Sequence, residues 1–127
     1  MTPPFDGAVR SGPLVLLRLE CAAMLGALSA AYAWGGHSWW LFAALFVTPD
    51  LSMLAYLANA RLGAIAYNAL HTTLGPVLLG AGGLLLGYSV LPWLAVVWAA
   101  HIAFDRMLGY GLKYASGFKD THLGSLD

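Results

Sequence analysis

Two histidines and two aspartates lie within long apolar runs of this sequence, and both residue types are ligands of divalent metal ions. Asp50 follows a Thr-Pro pair, His71 precedes two threonines, and His101 comes four residues before Asp105. An i, i+4 pair shares one face of a helix. Because imidazole and carboxylate together suit zinc, iron or manganese, the four side chains predict a site for one of these metals.

The sequence around these residues is apolar enough for lipid to be its solvent. Hydrophobic residues make up 60% of the 127-residue chain and charged residues 9%, whereas about a quarter of the residues of a soluble domain are charged. Ionisable residues at bilayer depth are costly, so those present are candidates for function. The net charge is zero and there is no basic run, which argues against a nucleic-acid partner. The expected partners are membrane lipids and a lipid-like substrate.

Hydropathy predicts an all-α protein with four transmembrane helices in residues 14–112. A flexible leader, residues 1–13, precedes them, and a polar cytoplasmic tail, residues 113–127, follows. The helices are expected at about 14–33, 38–57, 62–86 and 90–112. The second helix is expected to break at Thr48-Pro49-Asp50, because proline removes a backbone hydrogen-bond donor.

Basic residues predict the orientation of these helices. Arginine and lysine occur in the leader, between helices 2 and 3, and after helix 4, and they are absent from the other two connections. The positive-inside rule therefore places both termini in the cytoplasm of a bacterial inner membrane. An aromatic belt marks the opposite side: Trp34, Trp39, Trp40, Tyr88 and Trp93.

This topology predicts that the titratable residues share one depth. At about 1.5 Å per helical residue, five side chains lie roughly 9 to 17 Å from the cytoplasmic surface: Glu20, Asp50, His71, His101 and Asp105. On helix 1, Glu20 continues into a stripe of alanines that would let a neighbouring helix approach closely. The simplest arrangement places all five groups in one pocket. Such a stripe is also compatible with a homodimer.

Each candidate ligand also has a structural interpretation. Asp50 could interact with the dipole of a helix N-terminus. His71 could form interhelical hydrogen bonds together with Asn68 and Thr72. His101 and Asp105 could be a hydrogen-bonded pair.

Two further residues have open roles. Arg106 could extend to the lipid headgroups or neutralise Glu20. His122, in the tail, could belong to a lid, act as an extra ligand, or lie in a solvated terminus.

Several motifs closely resemble a family of small bacterial membrane proteins known as domain of unknown function 4260. The resemblance covers about residues 14 to 124. It implies a four-helix inner-membrane protein and brings no assigned activity. The matching segments are Leu17-Arg18-Leu19-Glu20, Pro49-Asp50-Leu51-Ser52-Met53-Leu54, Tyr67-Asn68, His71-Thr72, Ala100-His101, Asp105-Arg106, Gly109-Tyr110-Gly111-Leu112-Lys113-Tyr114, Gly117-Phe118 and Asp120-Thr121-His122-Leu123-Gly124.

A looser similarity connects the chain with bacterial membrane-bound metal-dependent hydrolases. Those proteins share a Pro-Asp-Leu turn, a later histidine next to threonine or serine, and a helix with a His-x-x-x-Asp spacing. Asp50, His71, His101 and Asp105 match this pattern. The sequence departs from it before His71, where Asn68 and Ala69 stand in place of the usual His-Arg.

Two classes of function fit these residues. In the first, a divalent ion activates water and polarises an ester or phosphoester oxygen of a lipid or lipid-linked substrate, with Glu20 or Asp105 as general base. In the second, the pocket binds a metal, a proton or a small ligand without turnover, for sensing, permeation or assembly. A catalytic metal needs an open coordination position, which a sequence does not reveal.

Overall fold

The computed structural model describes residues 7–125. Within this range the chain forms α1 (Ser11–Trp34), α2 (Trp39–Phe46), a 3-10 helix (Thr48–Leu57), α3 (Ala60–His71), α4 (Leu74–Leu86) and α5 (Val90–Leu108). A short antiparallel pair follows, β1 (Asp120–Thr121) and β2 (Gly124–Ser125). The leader predicted for residues 1–13 and the tail predicted for residues 113–127 lie partly outside the described residues.

The predicted helical class is confirmed. Three segments are long and apolar enough to cross a membrane: Ser11–Trp34, Trp39–Leu57 and Val90–Leu108. A fourth is added if α3 and α4, which meet at a bend of 41°, form one span. Large apolar side chains such as Leu78 and Leu85 point outward, as lipid-facing residues do.

The expected break in the second helix is present. Helix α2 ends at Phe46, and the 3-10 helix begins at Thr48 with proline in its first turn. Side-chain hydroxyls bond to nearby carbonyls here: Thr48 donates to Leu45, and Ser52 donates to Pro49 at 2.7 Å. These local bonds give backbone carbonyls a donor where the α-helical hydrogen-bond pattern is interrupted. The break places Asp50 in the first turn of the 3-10 helix.

A second break interrupts the third span, which hydropathy predicts to be continuous from residue 62 to 86. Helix α3 ends at His71, and Thr72 is extended, with φ −85° and ψ 145°. In a continuous helix the ring of Pro76 would clash with the carbonyl of Thr72, four residues earlier. The extended conformation at Thr72 avoids that clash and leaves His71 at a helix end.

Helix α5 supplies partners for the carbonyls exposed by this break. The indole N–H of Trp98 donates to the carbonyl of Leu70 at 2.7 Å. The guanidinium of Arg106 donates to the carbonyl of His71 at 3.3 Å. Because the last carbonyls of a helix lack partners within it, these two bonds tie the end of α3 to α5.

Helix α5 forms the centre of the structure and packs against α1, α2 and α4. Small side chains allow the close approach, and its buried residues are Ala95, Val97, Ala100, His101, Ile102 and Ala103. The helix ends at Leu108, four residues before the expected end. Gly109 has a φ of 95°, and the N–H of Tyr110 donates to the carbonyl of Asp105 at 2.8 Å. This is a Schellman-type termination, in which glycine avoids the strain of the left-handed conformation.

Helix α1 packs through a different face from the one expected. Glu20 and the alanines at 23, 27 and 31 are exposed, whereas Tyr32 is buried. Helix α1 contacts α5 through the opposite side, which carries Tyr32. Burial of the Tyr32 ring sets the rotation of α1 and leaves Glu20 on its outward face. The predicted pocket with all five titratable groups is therefore not formed.

The tail folds back onto the helices. Lys113 pairs with Thr121 in an isolated antiparallel bridge, and the N–H of His122 donates to the carbonyl of Leu112 at 3.0 Å. The N–H of Val9 in turn donates to the carbonyl of His122 at 2.8 Å. Thr121 is fully buried. Residues 109–125 thus form a packed cap at one end of the helices and not a solvated extension.

Candidate metal centre

Four side chains from three elements converge at one point. Asp50 comes from the 3-10 helix, His71 from the end of α3, and His101 and Asp105 from α5. One ligand atom from each lies within 4.8 Å of the others. The two histidine side chains are 3% and 2% exposed, whereas Asp50 is 39% exposed. The group is therefore buried on the histidine side and open on the side of Asp50.

Five of the six distances between these atoms are close to those of a tetrahedral site, and the remaining one, between the two aspartate oxygens, is within 4.8 Å. The Nε2 atoms of the two histidines are 3.1 Å apart. Oδ1 of Asp50 is 3.2 Å from each Nε2, and Oδ2 of Asp105 is 3.4 Å from that of His71 and 3.2 Å from that of His101. Around a tetrahedral ion with bonds of about 2.0 to 2.2 Å, neighbouring ligands are about 3.3 to 3.6 Å apart. Little movement would be needed to bind such an ion.

The backbone of α3 determines which nitrogen of His71 carries a proton. Its Nδ1 is 2.8 Å from the carbonyl oxygen of Tyr67. Since a carbonyl only accepts, Nδ1 is the donor, and Nε2 of the neutral ring has a free lone pair. That lone pair faces two carboxylate oxygens and a second imidazole nitrogen. Such an arrangement is repulsive unless a cation, a proton or a metal ion, lies between the groups.

Tyr67 supports the site in two further ways. Its ring stacks on that of His71, with centroids 3.7 Å apart and an interplanar angle of 5°. Its hydroxyl donates a long hydrogen bond of 3.4 Å to Oδ2 of Asp105. A residue that packs on one ligand and hydrogen-bonds to another orients both and affects metal affinity. Tyr67 therefore links a ligand on α3 to a ligand on α5.

His101 is held mainly by packing. The ring of Phe46, at the end of α2, meets its edge with centroids 5.1 Å apart. The Nδ1 atom of His101 is buried near the backbone of Phe46 and makes no hydrogen bond of normal geometry within residues 7–125. The break after α2 thus provides both a wall for this imidazole and the turn that carries Asp50.

A buried lysine lies beside the carboxylates. Lys113 is 4% exposed, and its Nζ lies 3.8 Å from the ring centre of Phe118 and 4.8 Å from that of Tyr67. Burial lowers the pKa of Lys113 to about 8, against the opposing influence of the Asp105 charge. The side chain therefore stays largely protonated at pH 7.

The amide of Asn68 fixes the position of this lysine. Its nitrogen donates to the carbonyl of Lys113 at 2.7 Å, and its oxygen accepts from the N–H of Lys113 at 2.6 Å. This pairing connects α3 to the tail. A cavity of about 170 Å³ lies next to the metal-binding group, and it is lined by Asp50, Met53, Tyr67, Asp105, Tyr110, Lys113 and Phe118.

The remaining residues singled out from the sequence lie elsewhere. Glu20 is exposed on α1 and is not brought to the four ligands. The hydroxyl of Thr72 accepts from the N–H of Leu74 at 3.5 Å, at the start of α4. Nδ1 of His122 accepts from the N–H of Leu112 at 2.8 Å. These contacts are structural: they stabilise a helix start and the folded tail.

Sequence reasoning missed two residues that belong to the site. Tyr67 is four residues before His71 and so shares its helix face, which is a usable signal. Lys113 was interpreted only as a cytoplasmic charge. Its position near Asp105 depends on the sharp turn at Gly109 and on the return of the tail, which helix periodicity does not report.

The fold and the site together define a helical protein with apolar helices compatible with a membrane and a His/Asp group that could bind a metal ion. The chain belongs to the family described as domain of unknown function (DUF4260), whose model matches residues 14–126. No curated protein and no solved structure matches the chain. The family resemblance inferred from the motifs is thereby confirmed, and the similarity to metal-dependent hydrolases stays a hypothesis.

Proposed function

We propose that this chain is an integral membrane protein that holds one divalent metal ion, zinc, between the 3-10 helix, α3 and α5. The ligands are Asp50, His71, His101 and Asp105. The observation that carries the proposal is the convergence of four ligand atoms, five of whose six separations are 3.1 to 3.4 Å and so close to the edges of a tetrahedron. Tetrahedral nitrogen and oxygen ligands favour zinc over manganese, which prefers octahedral oxygen sites, and iron is the second choice.

Charge balance supports the same proposal. Two carboxylates near two buried imidazoles are costly to desolvate without a compensating positive charge. A divalent ion bound by two aspartates and two neutral histidines gives a site with no net charge. The hydrogen bond from Nδ1 of His71 to a backbone carbonyl is the usual second contact of a metal-bound histidine.

The proposed location is the cytoplasmic half of a bacterial inner membrane, with both termini in the cytoplasm. The distribution of basic residues supports this orientation. The site lies near the end of α5 that carries the tail, where Lys113 and Lys119 follow the helix. The aromatic end of the helices then faces the opposite side.

The test is the metal content of the detergent-purified protein. We expect about one zinc ion per chain in the wild type, and loss of most of it in both His71→Ala and His101→Ala. His37→Ala is the matched control, because it removes a histidine that lies far from the four ligands. The proposal fails if the wild type holds no metal even after incubation with zinc, or if His37→Ala loses as much metal as the other two variants.

A second candidate function is hydrolysis of an ester or phosphoester bond in a lipid or lipid-linked substrate. The cavity lined by Asp50, Asp105 and Lys113 favours it, because two of the four ligands border a space of about 170 Å³. A bound divalent ion would supply Lewis-acid chemistry and lower the pKa of water. Since Glu20 is remote, the general base would be Asp105, and Asp50, the more exposed carboxylate, would have to leave the ion to open a position.

Turnover separates the two candidates. We expect a hydrolase to release product from a panel of lipid esters and phosphoesters only when zinc is bound. Asp105→Asn should abolish that release even under zinc concentrations that restore occupancy. A zinc-loaded wild type that cleaves none of the panel would support a metal centre without turnover, serving sensing, permeation or assembly.

A further inference from the structure

The cavity beside the four ligands has an unusual charge composition. Three of its lining residues are charged, namely Asp50, Asp105 and Lys113. Without a metal ion these groups sum to one negative charge. A divalent ion on the two carboxylates changes the sum to one positive charge, which is that of the Lys113 ammonium. The cavity would therefore repel an anion in the first state and attract one in the second.

We propose that this cavity binds a phosphate-type oxyanion beside Lys113, with the metal ion neutralising the two carboxylates that would otherwise repel it. The inference rests on the proposed metal centre and names the ligand class of the same site. Lysine binds phosphate well as a compact point charge. The backbone of Lys113 is clamped by Asn68, and its Nζ is packed over Phe118, so the ammonium is positioned before any ligand arrives.

The volume of the cavity limits the ligand to a small group. About 170 Å³ corresponds to roughly five or six waters at about 30 Å³ each. Pockets for whole drug-sized ligands are larger, about 300 to 1,000 Å³. The cavity therefore fits a free phosphate or the phosphate of a lipid headgroup, with the acyl chains of such a lipid left outside.

The experiment measures binding of radiolabelled inorganic phosphate to the detergent-purified protein, with zinc content determined on the same samples. We expect saturable binding to zinc-loaded wild type, and binding weaker by about 10- to 100-fold after zinc removal. Lys113→Met should weaken phosphate binding to a similar extent while zinc content stays near one per chain. Lys113→Arg retains the charge and should bind phosphate.

Lys119→Met is the matched control, because it removes an exposed lysine of the same tail and should leave binding unchanged. Zinc retention without phosphate binding would overturn this inference alone, as would equal binding by Lys113→Met. A wild type that takes up no zinc would overturn the proposed metal centre and the inference together. Thermal unfolding of each variant shows whether a loss of binding comes from a loss of folding.

Competition identifies the source of the phosphate. Short-chain phosphatidic acid should displace the labelled phosphate at lower concentration than unlabelled phosphate does if the natural ligand is a lipid headgroup. If unlabelled phosphate is the better competitor, the ligand is a free anion. Phosphatidylcholine of the same chain length, whose phosphate carries a bulky cationic group, controls for general detergent-like effects.

Discussion

Histidines occur at both ends of the helices, and their surroundings differ completely. At one end His37 lies among aromatic rings, 4.5 Å from Trp93 and 5.6 Å from Tyr32, measured between centroids. At the other end His71 and His101 face each other and two aspartates. The first histidine packs as an aromatic ring. The Nε2 atoms of the other two lie within 3.4 Å of carboxylate oxygens, and His71, whose Nδ1 donates to a carbonyl, directs a lone pair at them.

The two ends also differ in how the chain builds them. Most of the aromatic cluster comes from neighbouring segments: Tyr32 on α1, His37 in the following turn, and Trp39 and Phe42 on α2. The metal-binding group draws on elements separated by up to 55 residues, from Asp50 to Asp105. Helix breaks place two of its ligands. Much of the aromatic packing thus follows from proximity in sequence, with Trp93 added from α5, whereas the ligand set needs backbone irregularities at defined positions.

The largest contrast is expected in accessibility across a membrane. In a Cys21→Ala background, a cysteine at His37 should react with a membrane-impermeant reagent added outside intact cells. A cysteine at Lys119 should react only after the cells are permeabilised, because the positive-inside rule places the tail in the cytoplasm. The reverse labelling pattern would contradict the proposed orientation, and labelling of both sites from outside would contradict opposite locations of the two ends.

Metal removal should lower the thermal stability of the protein through the metal-binding group and not through the aromatic cluster around His37. If zinc is present at about 1,000 times its dissociation constant, it stabilises the folded protein by about 4 kcal/mol. A chelator should therefore lower the thermal midpoint of the wild type clearly and leave that of His71→Ala unchanged. His37→Phe, which keeps an aromatic ring in the other cluster, should respond to the chelator as the wild type does. If the chelator lowers the thermal midpoint of His71→Ala as much as that of the wild type, the metal binds elsewhere.

A smaller effect, on metal affinity, is expected from a change at Tyr67, the residue that links His71 to Asp105. Tyr67→Phe keeps the ring stacked on His71 and the carbonyl that accepts from it, and removes only the hydroxyl near Asp105. Loss of a hydrogen bond that orients a metal ligand costs about 10- to 100-fold in metal affinity. Because this hydrogen bond is long, we expect about tenfold, measured by competition with a zinc chelator. Unchanged affinity would show that the hydroxyl does not orient the carboxylate.

The smallest expected effect concerns how the stability of the folded tail depends on pH. Burial, together with the neighbouring Arg106 charge, lowers the pKa of His122 below its ordinary value of 6.5. The folded tail therefore binds fewer protons than the unfolded tail just below pH 6.5, and its stability falls as the pH falls through that window. Amide exchange in residues 109–125, corrected for its intrinsic pH dependence, should rise by up to about tenfold per pH unit.

The control for this titration is His122→Asn. Its side-chain oxygen can still accept from the N–H of Leu112, but it does not titrate. Exchange in this variant should lack the acid-induced increase. The same increase in both proteins would mean that another group controls the tail.

Several features of the fold and the site could be predicted from particular residues. Pro49 predicts the break that carries Asp50, because a missing donor is a local property. His101 and Asp105 share a face through their spacing alone. The predicted membrane depth of His71 falls in the same range as that of His101 and Asp105, and the structure brings these residues together.

Other features depend on long-range packing. The depth of Glu20 predicts a place in the same pocket, as a general base, but depth does not determine the rotation of a helix, and burial of Tyr32 turns that carboxylate outward. Pro76 causes a bend that hydropathy does not reveal. The turn at Gly109 and the pairing of Asn68 with Lys113 bring the tail back, and neither leaves a periodic signal in the sequence.

X-ray absorption at the zinc edge of the purified, zinc-loaded protein tests the central claim most directly. The account predicts four nitrogen or oxygen neighbours at about 2.0 to 2.2 Å, outer-shell scattering from two imidazoles, and no sulfur. In His71→Ala the imidazole contribution should fall by half or the zinc should be lost. Six oxygen neighbours without imidazole scattering, or a sulfur neighbour from Cys21, would contradict a centre formed by Asp50, His71, His101 and Asp105.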